Sequence, residues 1–334
     1  VKSIMPISLR RLGALLTVAT ATLLGSAAAW AGPYSSLTVF GDSLSDVGNI
    51  KLASPSSVPN PPYPLGRFSD GLNWIDVLAA GLGLPSASVA SLAGGTNYAF
   101  GGARTGTASN PPGVLAQVAG LWAPTHSTGA DPTGLYVVVG GGNDMRDARS
   151  AAGGNDITRE AAAQAAAFNI FQAVYALASA GAKHVLISTL PDLGNSPEAV
   201  NLNKVAESRD ATQRYNAAVA GLEGTLEALF AGLDVMVLDM AAVGDEIIDD
   251  ALNNGGATYG ITNLTVGCFF VGNCSSGDSL FSDSLHPSAA AYAVIGAAAL
   301  ALVVPLPATV SLLGAGLLAM GFTRRRRAAL PVRR

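Results

Sequence analysis

The stretch Leu37-Thr38-Val39-Phe40-Gly41-Asp42-Ser43 decides the reading of this chain. Leu37 to Phe40 is a short run of aliphatic, β-branched and aromatic residues, the composition of a strand, and it stops abruptly at a glycine. Asp42 or Ser43 then stands where the cap of a following helix belongs. A strand that breaks into a helix this sharply opens an α/β unit.

Working outward, the same theme recurs. Gly134 to Val139 is a continuous apolar run with no polar face, the pattern of a strand buried on both sides, and it ends in Gly140-Gly141-Gly142-Asn143-Asp144. His184 to Thr189 and Val235 to Asp239 read as further strands. Between them lie helical patterns: Trp74 to Leu82, closed by Gly81 and Gly83; the Ala-rich Glu160 to Gly181, with Phe168, Phe171, Val174, Tyr175 and Ala178 on one face; and a long one from about Glu207 to Ala231. A last helix is expected from Pro287 at its first turn to about Val303, ended by Pro305. Gly255 to Ser282 has weak periodicity and reads as a long loop with room for a short edge strand, and Lys51 to Pro64 reads as a Pro- and Ser-rich surface loop over the end of the first strand. Apolar strands alternating with amphipathic helices predict an α/β fold: a three-layer α/β/α sandwich around a central, mainly parallel sheet.

The ends of the chain read differently from its middle. Lys2, Arg10 and Arg11, the apolar stretch Leu12 to Ala29 and the pattern Ala29-Trp30-Ala31 have the form of a secretory signal cut after Ala31. Val304-Pro305-Leu306-Pro307-Ala308, an apolar run from Thr309 to Phe322 and Arg324 to Arg327 resemble the PEP-CTERM sorting signal in its VPLPA form. That resemblance implies a tail recognised by an exosortase-like sorting protease, and its basic end points inward by the positive-inside tendency. The expected division is therefore 1–31 signal peptide, 32–303 main α/β domain and 304–334 sorting and membrane-anchor segment. An exported protein at the periplasm, cell surface or exterior follows, anchored by the tail at least transiently.

Without those ends, ten basic side chains face 23 acidic ones, a net charge of about −13. So acidic a domain has no electrostatic footprint for nucleic acid. Cys268 and Cys274, six residues apart in a polar segment of an exported chain, are expected to close a small disulfide loop rather than bind metal.

Chemistry concentrates at the carboxyl ends of the strands, where open parallel sheets carry their sites. Ser43 is at the tip of a strand-to-helix turn, and a serine hydroxyl needs a base within about 3 Å to act as a nucleophile. Of the three histidines, His126 sits in a polar turn without an orienting partner and His184 opens a strand on the opposite edge. His286, in Asp283-Ser284-Leu285-His286-Pro287, is left as the base. The three-residue interval lets Asp283 reach its Nδ1, although Asp278 is also near. The charge that builds on an attacked carbonyl oxygen needs preorganised donors, for which the N–H of Ser43, the N–H of Gly102 and the amide of Asn143 are the candidates.

With these blocks in view, the chain resembles the GDSL family of lipases and esterases within the SGNH hydrolases. Phe40-Gly41-Asp42-Ser43-Leu44-Ser45-Asp46-Val47-Gly48-Asn49 matches the pattern that names the family. By that resemblance Ser43 is the nucleophile, Asp283 and His286 complete the triad, and Ser43, Gly102 and Asn143 form the oxyanion hole. Gly101 stays open as the alternative to Gly102, because alignment across adjacent glycines is ambiguous. Gly66-Arg67-Phe68-Ser69-Asp70-Gly71 resembles a further stretch of the branch with plant and bacterial lipolytic members, where Asn commonly replaces Asp70. The resemblance implies an SGNH, flavodoxin-like sandwich and serine-dependent hydrolysis of carboxylic esters with no cofactor and no metal. Short- to medium-chain acyl esters are expected as substrates. The alternatives are an O-acetyl esterase acting on extracellular polysaccharide and a non-catalytic surface protein that keeps the fold.

Overall fold

The computed structural model describes residues 32–54, 63–150 and 155–304. The expected signal peptide, the sorting tail beyond Val304 and residues 55–62 of the Pro-rich loop lie outside them.

Four strands, β1 (Leu37–Phe40), β2 (Leu135–Val138), β3 (His184–Ser188) and β4 (Asp234–Leu238), form a parallel sheet in the order β1-β2-β3-β4. Leu37 pairs with Leu135, Val137 with Leu186 and Leu186 with Met236. On the other side of β1 the chain runs alongside without forming a full strand: Val39 donates to Thr96 O (3.0 Å), and Tyr98 and Phe100 donate to the carbonyls of Val39 (2.7 Å) and Gly41 (3.1 Å). From β1 the chain thus goes first to one side of the strand and then to the other. The end of β1 is the topological switch point, where a crevice opens in sheets of this type.

Alternation along β2 explains its unbroken apolar run. Tyr136 and Val138 face one layer, with Ala163, Ala166, Ile170, Val174 and Leu177 of the long helix and Ala211, Tyr215 and Val219 of the next. Leu135, Val137 and Val139 face the other, with Trp74, Ile75 and Leu78 on one side and Tyr292, Ile295 and Ala299 of the last helix on the other. Small alanines on the first face let the long helix lie close to the sheet. The layers are helices, sheet, helices, as the sequence predicts.

The helices that matter below are α1 (Trp74–Leu82), α2 (Gly142–Ser150), α3 (Asp156–Ser179), α4 (Val205–Ala220), α5 (Leu222–Leu229), α6 (Met240–Asn254) and α7 (Ala289–Val303). The single helix expected over Glu207 to Ala231 is two, divided at Gly221, where the low helix propensity of glycine lets the chain turn. α7 begins two residues later than expected, because Ser288 rather than a residue before Pro287 caps it, its Oγ accepting from Ala291 N–H (3.1 Å). No edge strand forms in Gly255 to Ser282; the segment makes isolated bridges, Asn263 to Ser279 and Phe281 to Pro287. Cys268 and Cys274 are disulfide-bonded, and Cys268 and Phe269 donate to the carbonyls of Phe281 and Ser282 (2.9 and 3.0 Å). That loop therefore braces the backbone just before Asp283.

Candidate active site

The turn after β1 is held by buried polar bonds. Both Gly41 backbone groups are engaged by the buried Gln117 side chain, Oε1 accepting from Gly41 N–H and Nε2 donating to Gly41 O, each at 2.8 Å. Asp46, with no solvent exposure, accepts from the N–H groups of Gly48, Asn49, Ile50 and Gly101. Asn49 donates to the carbonyls of Asn97 (2.8 Å) and Ala99 (2.9 Å). The first block is thereby bolted to the glycine segment around Gly101, and Ser43 at its tip has a rigid footing.

His286 is carried by the loop before α7. Its Nε2 lies 2.9 Å from Ser43 Oγ, and its Nδ1 lies 2.7 Å from Asp283 Oδ2. Asp283 Oδ1 accepts from the N–H groups of Leu285 and His286, both at 2.6 Å, so the Asp-x-x-His interval folds as a tight turn around its own carboxylate. Burial alone would raise the Asp283 carboxyl, but the hydrogen bond and charge of His286, the Tyr63 hydroxyl and the His286 N–H together hold it well below the ordinary range. The carboxylate is ionised at neutral pH, so Nδ1 carries the hydrogen and Nε2 faces Ser43 as an acceptor.

Asp70 holds this loop from outside. Its Oδ1 accepts from Ala289 N–H (2.7 Å) and from Ser282 Oγ (2.8 Å). Arg67 of the same block forks onto Asp76 at the start of α1 (3.0 and 2.6 Å) and donates to the carbonyls of Val47, Leu65 and Ser88. The Gly66 to Gly71 block is structural support between the Ser43 turn, α1 and the His286 loop.

Of the other acids and bases weighed from the sequence, none reaches the site. Asp278 is bonded to Ser276 and Ser279, His126 packs on Trp122, and His184 pairs with Asp234 at the opposite edge of the sheet.

Asn143 lies in the first turn of α2 and is almost fully buried. Its Nδ2 donates one hydrogen to Ala103 O (2.9 Å) and keeps the other, while its Oδ1 accepts from Arg146 Nη1 (3.0 Å). Asp144 accepts from the N–H and hydroxyl of Thr105, which fastens the same turn to the glycine segment a second time. The two adjacent glycines are not equivalent. Gly101 N–H is committed to Asp46 (2.8 Å), whereas Gly102, at φ 78°, donates to no group among the described residues, and neither does Ser43 N–H. The three donors expected from the sequence, two backbone N–H groups and one amide hydrogen, are thus unengaged among the described residues.

Three contributors were given no role from the sequence, although Phe68 stands inside the Gly66 to Gly71 block. Tyr63, at the end of the Pro-rich loop, donates to Asp283 Oδ2 (2.5 Å) and stands edge-on to the His286 ring. Phe68 lies against the same ring, centroids 5.2 Å apart. Arg146 lies three residues beyond Asn143 on α2, a spacing that puts both on one helical face and was the available signal. Tyr63→Phe removes a bond to a charged acceptor and is expected to lower kcat about 10-fold while leaving KM within about twofold. Steady-state kinetics across pH checks this; an unchanged kcat would make the tyrosine a packing residue only.

Asp42 beside Ser43 is 2% exposed and accepts from Leu44 N–H (3.0 Å); burial pushes its carboxyl up to about 6 against the opposing pull of that N–H and of His286. An acid whose folded value exceeds its unfolded one loses its proton later in the folded chain. Stability therefore falls as pH rises from about 4 to about 6, by up to about 3 kcal/mol. Asp42→Asn is expected to raise the thermal unfolding midpoint at pH 7.5 and not at pH 4; an equal change at both values would contradict this.

Beside Ser43 a cleft opens between the residues after β3, α6 and α7. It is walled mainly by apolar side chains, among them Leu190, Leu193, Met240, Ile247, Phe281 and Ile295.

Comparison with known proteins agrees in one respect. The GDSL-like Lipase/Acylhydrolase family matches residues 37–299. The chain is 36% identical over 207 residues to Lipase 1 of Photorhabdus luminescens, covering 59% of this chain and 28% of that protein. It is 28% identical over 320 residues to Esterase EstA of Pseudomonas aeruginosa, covering 77% of this chain and 45% of that protein. The chain thus spans between about a quarter and about half of the length of these relatives. Among solved structures it is similar to Est24, a carbohydrate acetylesterase from Sinorhizobium meliloti, with a TM-score of 0.44, 15% identity and coverage of 79% of this chain and 96% of that one.

Proposed function

The chain belongs to the GDSL-like lipase and acylhydrolase family, and on that premise we propose that it hydrolyses carboxylic esters through an acyl-serine. The observation that carries this reading is the relay from Ser43 Oγ to His286 Nε2 (2.9 Å) and from Nδ1 to Asp283 (2.7 Å). His286 takes the Ser43 proton as the oxygen attacks the ester carbonyl. The oxyanion is received by Ser43 N–H, Gly102 N–H and the uncommitted hydrogen of Asn143, and the positive end of α2 adds to that field. Protonated His286 gives its proton to the departing alcohol. Water, deprotonated by the same imidazole, then releases the acid, and Asp283 keeps the ring in the tautomer that both halves need. Each step is served by side chains and backbone already present, so the reaction asks for no metal or organic cofactor.

The apolar cleft beside Ser43 supports short- to medium-chain acyl groups as the substrate class. A second reading, removal of O-acetyl groups from extracellular polysaccharide, is favoured by the Val304 to Arg327 tail, whose resemblance to a sorting signal would carry the exported chain to the cell surface through an exosortase-like partner. A panel of p-nitrophenyl esters from acetate to palmitate, run beside acetylated xylan and phosphatidylcholine, separates these. The expected maximum of kcat/KM falls at butyrate to octanoate. Preference for palmitate overturns the chain-length assignment, preference for acetylated xylan favours the second reading, and a folded protein inert on every substrate overturns the enzymatic one.

A further inference from the structure

The pair Arg146 and Glu198 adjoins Asn143, with Arg146 on the wall of the cleft that Ser43 and His286 also line, and the relay just described does not use it. Arg146 Nη1 donates to Asn143 Oδ1 (3.0 Å). The rest of its guanidinium forks onto Glu198, Nε to Oε2 at 2.9 Å and Nη2 to Oε1 at 2.5 Å. Arg149, only 2% exposed at its side chain, also donates to Glu198. The backbone of Glu198 reaches the other half of the site, its N–H donating to Ser284 O (2.7 Å) inside the Asp283 to His286 turn.

Three consequences follow from this geometry. A primary amide can be turned over, and only one of its two orientations offers N–H to an oxyanion. A cation on Oδ1 and the Ala103 carbonyl on Nδ2 both select that orientation. A guanidinium on the amide oxygen also draws electron density from the amide nitrogen, which strengthens the remaining N–H as a donor. Finally, planar bidentate pairing to a carboxylate holds the guanidinium in one place, which an ammonium on a flexible stem does less well.

We propose that Arg146 is a positioning residue of the oxyanion site, orienting and polarising the Asn143 amide, and that Glu198 is its clamp and couples it to the turn that carries His286. The proposal rests on the acyl-serine reading above and deepens it.

The test is a double-mutant cycle on the full chain with an ester of poor leaving group, for which bond making limits the rate. Arg146→Gln is expected to lower kcat about 10- to 100-fold with KM within about twofold. In an Asn143→Ala background the same substitution is expected to change kcat less than about threefold, because the amide it acts through is gone. Arg146→Lys, which keeps the charge and loses the fork, is expected to recover part of the rate. Glu198→Gln is expected to fall between native and Arg146→Gln. A merely structural role predicts equal losses in both backgrounds, and that result overturns the proposal, as does a kcat for Arg146→Gln within twofold of native. Should Arg146→Gln fail to fold, by circular dichroism and thermal unfolding, Arg146→Lys takes its place in the cycle: a loss confined to the Asn143 background supports the proposal, and equal losses in both backgrounds overturn it. A Ser43→Ala control separates the two levels. Hydrolysis that survives in it overturns the acyl-serine reading itself, whereas Ser43-dependent hydrolysis indifferent to Arg146 overturns only this inference.

Discussion

Ser43→Ala is expected to lower kcat/KM on every hydrolysed ester by about 10^4-fold or more, with the unfolding midpoint nearly unchanged. The substitution deletes one oxygen whose only side-chain partner among the described residues is His286 Nε2, so the expected loss is chemical and not structural. The neighbouring serine offers no substitute: Ser45 is fully buried, and its Oγ accepts from Trp74 Nε1 at 3.2 Å. The His286 to Asp283 pair is left intact by the change, as is the tight turn that carries it. Hydrolysis measured on a butyrate ester, with circular dichroism to establish folding, checks this. A folded variant within about 10-fold of native activity would mean that the hydroxyl is not the nucleophile.

The second large effect is expected at Asn143. Asn143→Ala removes one of the three donors proposed to receive the charge that develops on the carbonyl oxygen, and loss of one such donor costs about 3 kcal/mol in the barrier, roughly 100-fold in kcat. KM is expected to stay within about threefold, because the ground-state carbonyl gains little from a donor placed for the oxyanion. The same substitution strands Ala103 O and frees Arg146, so a small drop in thermal stability of about 1 kcal/mol accompanies it. Retention of full turnover on a slow ester by a folded variant would remove Asn143 from the site.

The layers of the fold were legible because each strand is short, apolar and punctuated. Leu37 to Phe40 is a strand over those same residues, and Trp74 to Leu82 is a helix over its expected span. Where the reading departed from the structure, a local rule was overridden. The Glu207 to Ala231 pattern kept its apolar period through Gly221, so periodicity concealed a break that the glycine backbone makes. α6, Met240–Asn254, was not anticipated, because its first turn follows β4 directly and its acidic surface blurs the apolar face.

At the site, residues that sit in dense sequence blocks could be read and residues that act across the fold could not. Ser43, Asn143, Asp283 and His286 each stand beside glycines or in a short fixed interval, and the structure brings Ser43, His286 and Asp283 into one chain of contacts. The choice between Gly101 and Gly102 needed coordinates, since only a three-dimensional path shows that Asp46, 55 residues away, engages the first of them. Tyr63 and Glu198 reach Asp283 and Ser284 over 220 and 86 positions of chain, and nothing in their local sequence marks the destination.

The central claim is that Ser43 Oγ becomes covalently acylated, and a fluorophosphonate read out by peptide mass mapping tests it most directly. A single phosphonyl adduct on the peptide containing Ser43, lost in His286→Ala, is the predicted result. A chain that hydrolyses esters yet stays unlabelled, or that carries the adduct on another residue while Ser43 is unmodified, would contradict the account.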